Sequence, residues 1–182
     1  MIFLSTEIEG AHLIDIEPIM DERGFFARAW CQREFLSRGL VACMVQTNLA
    51  LTCERGTLRG LHYQAAPHAE AKLVRCIQGA AYVVAVDLRR ESASYLRWVG
   101  AELSARNRRA LYVPPGCAQG YQTLADQTEL LYQMSAFYVP EAARGLRYDD
   151  PALGIRWPLE ARNLSPRDRA WPPYGLYGTD PP

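Results

Sequence analysis

The stretch "KLVRCIQGAAYVVAVDLR", Lys72 to Arg89, decides how this chain folds. Its first half is a strand-like run that ends at Gly79, a turn residue. In its second half Tyr82, Val84, Val86 and Leu88 fall on one face, and Val83 and Ala85 on the other. A period of two is the signature of a β-strand. Both faces are apolar, so this segment is expected to be a central strand buried on both sides. Outward from it the same period recurs. "RWVGAEL" alternates Val99, Ala101 and Leu103, and "ALYVPPG" is a short strand ended by Pro114 and Pro115. "TELLYQMSAFYVP" sets Leu130, Tyr132 and Met134 on one face and is expected to run to Pro140. Short strands separated by Gly, Pro and Asn turns point to an antiparallel β-sandwich or barrel.

Helical signal is weak. "CQREFLSRGL", Cys31 to Leu40, supports two turns ending at Gly39, a suitable residue just past a helix C-terminus. From about Asp149 the chain is rich in proline. The expectation is one domain over 1–182, with a proline-rich C-terminal tail from about 158. That tail should wrap over the body with little regular structure, and its last residues should fray. No internal repeat or linker interrupts the chain.

Hydrophobic residues are 49% of the 182 and charged residues 22%, ordinary for a soluble globular protein. Twenty basic and twenty acidic side chains give a net charge of +0, so no global field draws in nucleic acid or an anionic membrane. A local basic cleft for a small anion is not excluded. No apolar run approaches the ~20 residues that span a bilayer. The opening "MIFLSTEIEG" has no basic region and turns acidic at once, unlike a signal peptide. A cytoplasmic protein is expected. The five cysteines have no C-x-x-C spacing, which argues for reduced thiols rather than a disulfide framework or zinc knuckle.

Polar residues cluster oddly for a β-protein. "DERGFF" begins at Asp21, and "VQTNLAL" sets Gln46 and Asn48 on one strand face. "TLRGLHYQ" places Arg59, Gly60 and His62 within four residues, and "KLVRC" carries Lys72. "VPPGCAQGYQTL" holds Gln119, "LLYQ" holds Tyr132 and "LSPRD" holds Arg167 and Asp168. Each alone is weak, since a strand tyrosine is usually core and a lone histidine usually a satisfied one.

In this order, with "VAVDLR" and "DDPALGIRWP", the blocks resemble the dTDP-4-dehydrorhamnose 3,5-epimerase family of nucleotide-sugar epimerases, within the cupins. The resemblance runs nearly end to end. It implies an all-β fold: an antiparallel double-stranded β-helix, the cupin jelly roll, with short peripheral helices. It implies a homodimer working without metal or organic cofactor on a nucleotide-linked 4-keto-6-deoxyhexose, in deoxysugar or polysaccharide biosynthesis. The residues themselves also speak against a metal. Metal cupins resemble one another in an H-x-H followed by Glu and a later His; here Tyr63 and Gln64 follow His62, and Gln119 stands at the later position.

By the same resemblance His62 is the base, Asp168 its partner, Tyr132 the proton donor on the opposite face, and Lys72 a holder of the developing oxyanion. Arg23 and Arg59 match contacts to the diphosphate and its neighbours. Gln46, Thr47 and Asn48 match the strand lining the sugar and base pocket, and Tyr138, Arg144 and Arg167 fall at or beside ligand contacts. Gly60 would let the sugar approach the sheet. Two positions depart from the family pattern. Gln119 replaces a histidine, keeping a hydrogen-bond donor but no relayed proton. Arg28 replaces a glutamate, reversing a charge expected beside the ligand. A single-position (3- or 5-) epimerase on another nucleotide sugar such as a CDP-linked one, or a non-catalytic sugar-nucleotide-binding cupin, is the alternative reading.

Overall fold

In the computed structural model of the chain, residues 1–174 are described. The expected fraying of the final residues lies outside them. In chain order the elements are β1 (Ile2–Ser5), β2 (His12–Asp15), β3 (Ile19–Asp21), β4 (Gly24–Phe26), α1 (Gln32–Leu36), β5 (Gln46–Thr52), β6 (Leu58–Gln64) and β7 (Lys72–Gln78). There follow β8 (Ala80–Asp87), β9 (Trp98–Ser104), β10 (Ala110–Val113), β11 (Cys117–Thr123), β12 (Thr128–Met134), a 3-10 turn (Pro140–Ala142), β13 (Ala143–Gly145) and α2 (Pro166–Ala170).

The strands form a six-stranded sheet, β1-β2-β10-β7-β12-β5, and a five-stranded sheet, β13-β6-β11-β8-β9. Within both, every pairing is antiparallel, the jelly-roll arrangement expected from the sequence. Gly79 is the corner between the sheets. It takes the chain from β7 in one to β8 in the other, at φ +71 and with Thr128 Oγ1 2.6 Å from where a Cβ would stand. Glycine alone meets both demands.

β8 is buried on both sides, as its sequence requires. Val83 and Ala85 join Val74, Leu111 and Leu130 of the facing sheet in the core between the layers. Val84 and Val86 face the other way, onto Leu61, Ala118, Leu146 and Leu153. Leu153, with Ile155 and Trp157, belongs to the C-terminal segment, which thus covers the five-stranded sheet. A third cluster, around Phe35 of α1 with Leu40, Leu73 and Tyr112, seals the outer side of the six-stranded sheet. Gly39 follows α1 at φ +71, as expected for its end.

One expectation changes. The strand predicted to run to Pro140 stops at Met134, because its neighbours stop pairing there. The Met134 carbonyl accepts from Val45 N–H, Ser135 N–H turns to the Ala71 carbonyl, and Val139 N–H is taken by the Gln64 side chain. The N-terminal strand pairs as β1 with β2 and forms one edge of the six-stranded sheet. No helix among the described residues is long and apolar enough to cross a membrane.

Where β8 ends, Asp87 is fully buried and ties down the loop after it. Its carboxylate accepts from Arg89 Nε at 2.8 Å and from the Ser92 and Ser94 hydroxyls at 2.6 Å each. Burial pushes its pKa up, but these donors outweigh burial and hold it at about 2, below an ordinary 3.8. A depressed carboxyl stabilises the fold fully above 3.8, and that contribution is lost as pH falls through about 2. Asp87→Asn is expected to lower the unfolding free energy at neutral pH by about 3 kcal/mol. Denaturant melts should show the wild type losing this advantage between pH 3.8 and about 2, with the variant flatter over that window.

Candidate active site

Arg59 and His62 are three residues apart on β6, so a regular strand would point them to opposite faces. They share one face because the strand bulges between them. Gln119 of β11 is level with His62 while Tyr121 is level with Arg59, so three steps on β6 match two on β11. Gly60 makes the bulge possible. It sits at φ +120, and a Cβ there would meet the Gly120 Cα at 2.6 Å and the Gln119 carbonyl at 3.0 Å. Gly60 therefore gives room to the neighbouring strand; the expected role of admitting sugar to the sheet is not what its missing side chain serves.

The bulge turns both side chains into a cavity of about 250 Å³ between the two sheets. An open cleft of about 580 Å³ adjoins it and shares Arg59, His62 and Arg167. The smaller space suits one sugar-sized group rather than a whole nucleotide sugar, given that ligand pockets typically span ~300–1,000 Å³. The cavity is cationic although the chain is neutral: Arg59, Lys72, Arg144 and Arg167 line it, against Glu70.

The C-terminal segment brings Asp168 to His62. Thr57 bridges Arg162, and Arg162 exchanges backbone hydrogen bonds with Gly56 and Leu58. Ser165 then caps α2 by accepting from Asp168 N–H at 3.0 Å. The Asp168 side chain, 5% exposed, lies 2.6 Å from His62 Nε2. Burial pushes this carboxyl up, but the bond to His62, its charge, the Ser165 hydroxyl and Gly60 N–H together hold it below the ordinary value. An ionised carboxylate only accepts, so Nε2 carries the proton and Nδ1 keeps the lone pair.

Lys72 is tethered rather than free. Its ammonium is buried, donates to the His62 carbonyl at 3.0 Å and pairs with Glu70 Oε1 at 3.0 Å. An ammonium has three donors, so one remains for a ligand. Gln119, opposite His62 in register, offers an amide on the same wall.

The facing wall comes from the six-stranded sheet. Tyr132 of β12 is level with Asn48 on β5 and Val74 on β7. Burial pushes its phenol up, with the Arg59 charge pulling the other way, so it stays protonated as an acid. Gln46 donates to Asn48 Oδ1 at 3.1 Å and its own Oε1 accepts from Tyr138 N–H, ordering that edge of the cavity. Tyr138, Arg144 and Arg167 complete the rim.

Three expected residues do not reach the cavity within this chain. Thr47 points to the outer, exposed side of β5. Arg23 sits at the tip of the β3–β4 hairpin, 84% exposed and paired with Asp21. Arg28 is 64% exposed and pairs with Glu34 at 2.9 Å, so its charge is neither buried nor unpartnered. Sequence reasoning missed Tyr121, Gln64 and Glu70, which line the cavity. Tyr121 is buried and its hydroxyl bonds Thr52 Oγ1 at 3.0 Å. A step of two from Gln119 would have found Tyr121, and a step of two from His62 would have found Gln64. Glu70 lies in a loop where no period applies. Among the described residues, no three His, Cys, Asp or Glu side chains are grouped as a metal site requires.

A jelly roll with a half-exposed histidine on one sheet backed by a buried carboxylate, a phenol on the other sheet and a cationic rim defines an acid–base pocket for an anionic ligand. The family model described as dTDP-4-dehydrorhamnose 3,5-epimerase matches residues 5–175, and the chain belongs to that family. It is similar to the dTDP-4-dehydrorhamnose 3,5-epimerase of Pseudomonas aeruginosa, 44% identical over 169 residues, covering 91% of this chain and 92% of that protein. Among solved structures, the dTDP-4-dehydrorhamnose 3,5-epimerase from Elizabethkingia anophelis NUHP1 superposes with a TM-score of 0.94 at 34% identity, covering 96% and 97% of the two chains. The dTDP-6-deoxy-D-glucose-3,5-epimerase from Legionella pneumophila, in complex with dTDP-4-keto-L-rhamnose, gives 0.89 at 35% identity, covering 96% and 93%.

Gly60→Ala tests the bulge. Its methyl would meet backbone at 2.6 Å and force a left-handed φ on alanine. The expected outcome is a stability loss of about 1–3 kcal/mol and a ligand affinity reduced beyond what that loss explains, read by thermal melts and by dTDP titration. Retention of wild-type affinity would show that the bulge does not set the cavity.

Proposed function

We propose that this chain epimerises a dTDP-linked 4-keto-6-deoxyhexose at C3 and C5, in deoxysugar biosynthesis. The observation that carries this reading is the placement of His62–Asp168 and Tyr132 on opposite sheets around one cavity. Epimerisation needs that division, a base on one face of the sugar and an acid on the other. The C4 ketone acidifies the neighbouring C–H bonds. His62 Nδ1 removes the proton, with Asp168 holding the tautomer and stabilising the imidazolium. Negative charge moves to the ketone oxygen, where the third Lys72 N–H and the Gln119 amide serve as donors. Tyr132 returns a proton from the other side, and solvent exchange resets both groups before the second carbon reacts. Arg59, Arg144 and Arg167 hold the diphosphate, for which arginine's planar fork is suited. No step calls for a metal or an organic cofactor.

The test is incubation with dTDP-4-keto-6-deoxyglucose in D₂O, with deuterium located by NMR. Label at both C3 and C5 is expected; label at one carbon would make it a single-position enzyme, and none would favour a binding module. His62→Asn should abolish exchange, a loss of at least about 10²–10⁴-fold. Tyr132→Phe should leave exchange catalysed by His62 measurable while slowing formation of the inverted sugar. Equal loss in both would give the tyrosine a different role.

We also propose a homodimer. The β3–β4 hairpin exposes Ile19 and Met20 at 69% each and Phe26 at 74%, with Arg23 at its tip. The outer side of β5 adds Leu49 and Leu51. Apolar surface of this kind seeks cover, and docking on a partner's cavity rim would bring the exposed Arg23–Asp21 tip beside a bound diphosphate. Light scattering should give twice the chain mass at micromolar concentration, and Phe26→Asp with Met20→Asp should shift the protein to monomer. A wild-type monomer would overturn it.

A further inference from the structure

We infer that Trp171 is a positioning residue for the acid–base pair, acting through the glycine hollow at Gly145; this rests on the epimerase reading above and concerns the same site. α2 has five residues, far too few to hold a helical conformation unaided. Its place must be fixed from outside at both ends. The N-terminal end is held by the Arg162 pairing with Gly56 and Leu58, with Ser165 capping the helix from within. At the C-terminal end stands Trp171, the residue that closes the helix.

The indole lies where a side chain on Gly145 would be. A Cβ built there would come within 2.2 Å of Trp171 Cε2 and Nε1. Gly145 is the residue of β13 level with His62 on β6. So α2 touches the His62 region twice. The Asp168 carboxylate takes the imidazole, and three residues on, one helical turn later, the indole rests on the strand beside it. Residues three apart share a helix face, and here that face is applied to one stretch of sheet. Trp171 also carries the second site residue of α2, since the Arg167 guanidinium lies 5.2 Å from its ring centroid. One aromatic plate thereby sets the helix that presents both the base's partner and a rim cation.

The experiment uses Trp171→Ala, Trp171→Phe, Gly145→Ala and the pair Gly145→Ala with Trp171→Ala. The first readout is the ¹⁵N NMR signature of the His62 ring in the substrate-free protein, tractable with three histidines in the chain. Trp171→Ala should lose the strongly hydrogen-bonded Nε2–H signal, and Trp171→Phe should keep it. The second is kinetics. Trp171→Ala should lower kcat on the order of 10²-fold, as for a misplaced catalytic group, and raise KM through Arg167. Gly145→Ala should do the same alone but cost nothing further once Trp171 is absent, because its methyl then meets no indole. An unchanged His62 signal in Trp171→Ala, or additive losses for the pair, would overturn the proposal. So would loss of signal only together with global unfolding in all variants, including Trp171→Phe, by circular dichroism. The ring signal needs no turnover, so a wild type that epimerises nothing tested would sink the reaction without touching this inference.

Discussion

The close contact of Gly60 with Gly120 is the constraint on which the site depends. Two strands approach until the Gly120 Cα stands 2.6 Å from where a Cβ on Gly60 would be, and only a pair of glycines permits it. The approach lets β6 carry an extra residue between Arg59 and His62. The bulge therefore does what the strand's period forbids: it turns a guanidinium and an imidazole to the same cavity while Leu61 stays in the outer core. The backbone N–H of Gly60 also supports the Asp168 carboxylate. Backbone geometry, side-chain direction and electrostatics of the site thus meet at one residue.

Around that point the jelly roll separates the chemistry by sheet. The five-stranded sheet carries His62 and Gln119, and the six-stranded sheet carries Tyr132, Lys72, Gln46 and Asn48. Gly79 is what makes two sheets out of consecutive strands, so Lys72 on β7 and Val83 on β8 contribute to opposite walls of the interior. A rigid sandwich gives the proposed acid and base a fixed separation across the sugar ring that a single sheet could not. The proline-rich C-terminal segment is part of this frame, for it covers β8 and delivers Asp168 in the same course.

Much of this was legible in the residues. The apolar alternation at Tyr82–Val86 gave β8 its two buried faces, and prolines and glycines marked the ends of β10 and α1. Order of the polar blocks, more than any single residue, placed His62, Tyr132 and Asp168 in one site. What stayed hidden has physical reasons. A bulge breaks the period on which strand reading relies, so Gly60 looked like space for a ligand when it is space for a neighbouring strand. The end of β12 depends on where β5 and β7 stop, which no local pattern encodes. Thr47 belongs to the same strand as Gln46 and Asn48, yet alternation sends it outward. Arg28, expected beside the ligand, instead meets Glu34 through the turn into α1.

The Lys72–Glu70 pair changes the electrostatic picture of the proposed reaction. Taken alone, Lys72 is a buried cation waiting for an oxyanion. In the structure that cation already has a carboxylate at 3.0 Å, itself buried, and a carbonyl. Two opposite charges at about 4 Å interact by about 4 kcal/mol at an effective dielectric near 20, which offsets part of the cost of taking the pair out of water. The resting cavity is therefore less strongly polarised than a lone lysine would make it, and a neutral ketone can enter without competing for an unpaired charge. When negative charge moves to the ketone oxygen, the ammonium becomes shared between two anions, and the gain is that of a fixed, oriented N–H rather than of a whole unit charge. Stabilisation of this kind depends on preorganisation. It fits a site in which the proposed base is locked by Asp168, the lysine by Glu70 and the strand that carries the base by two glycines.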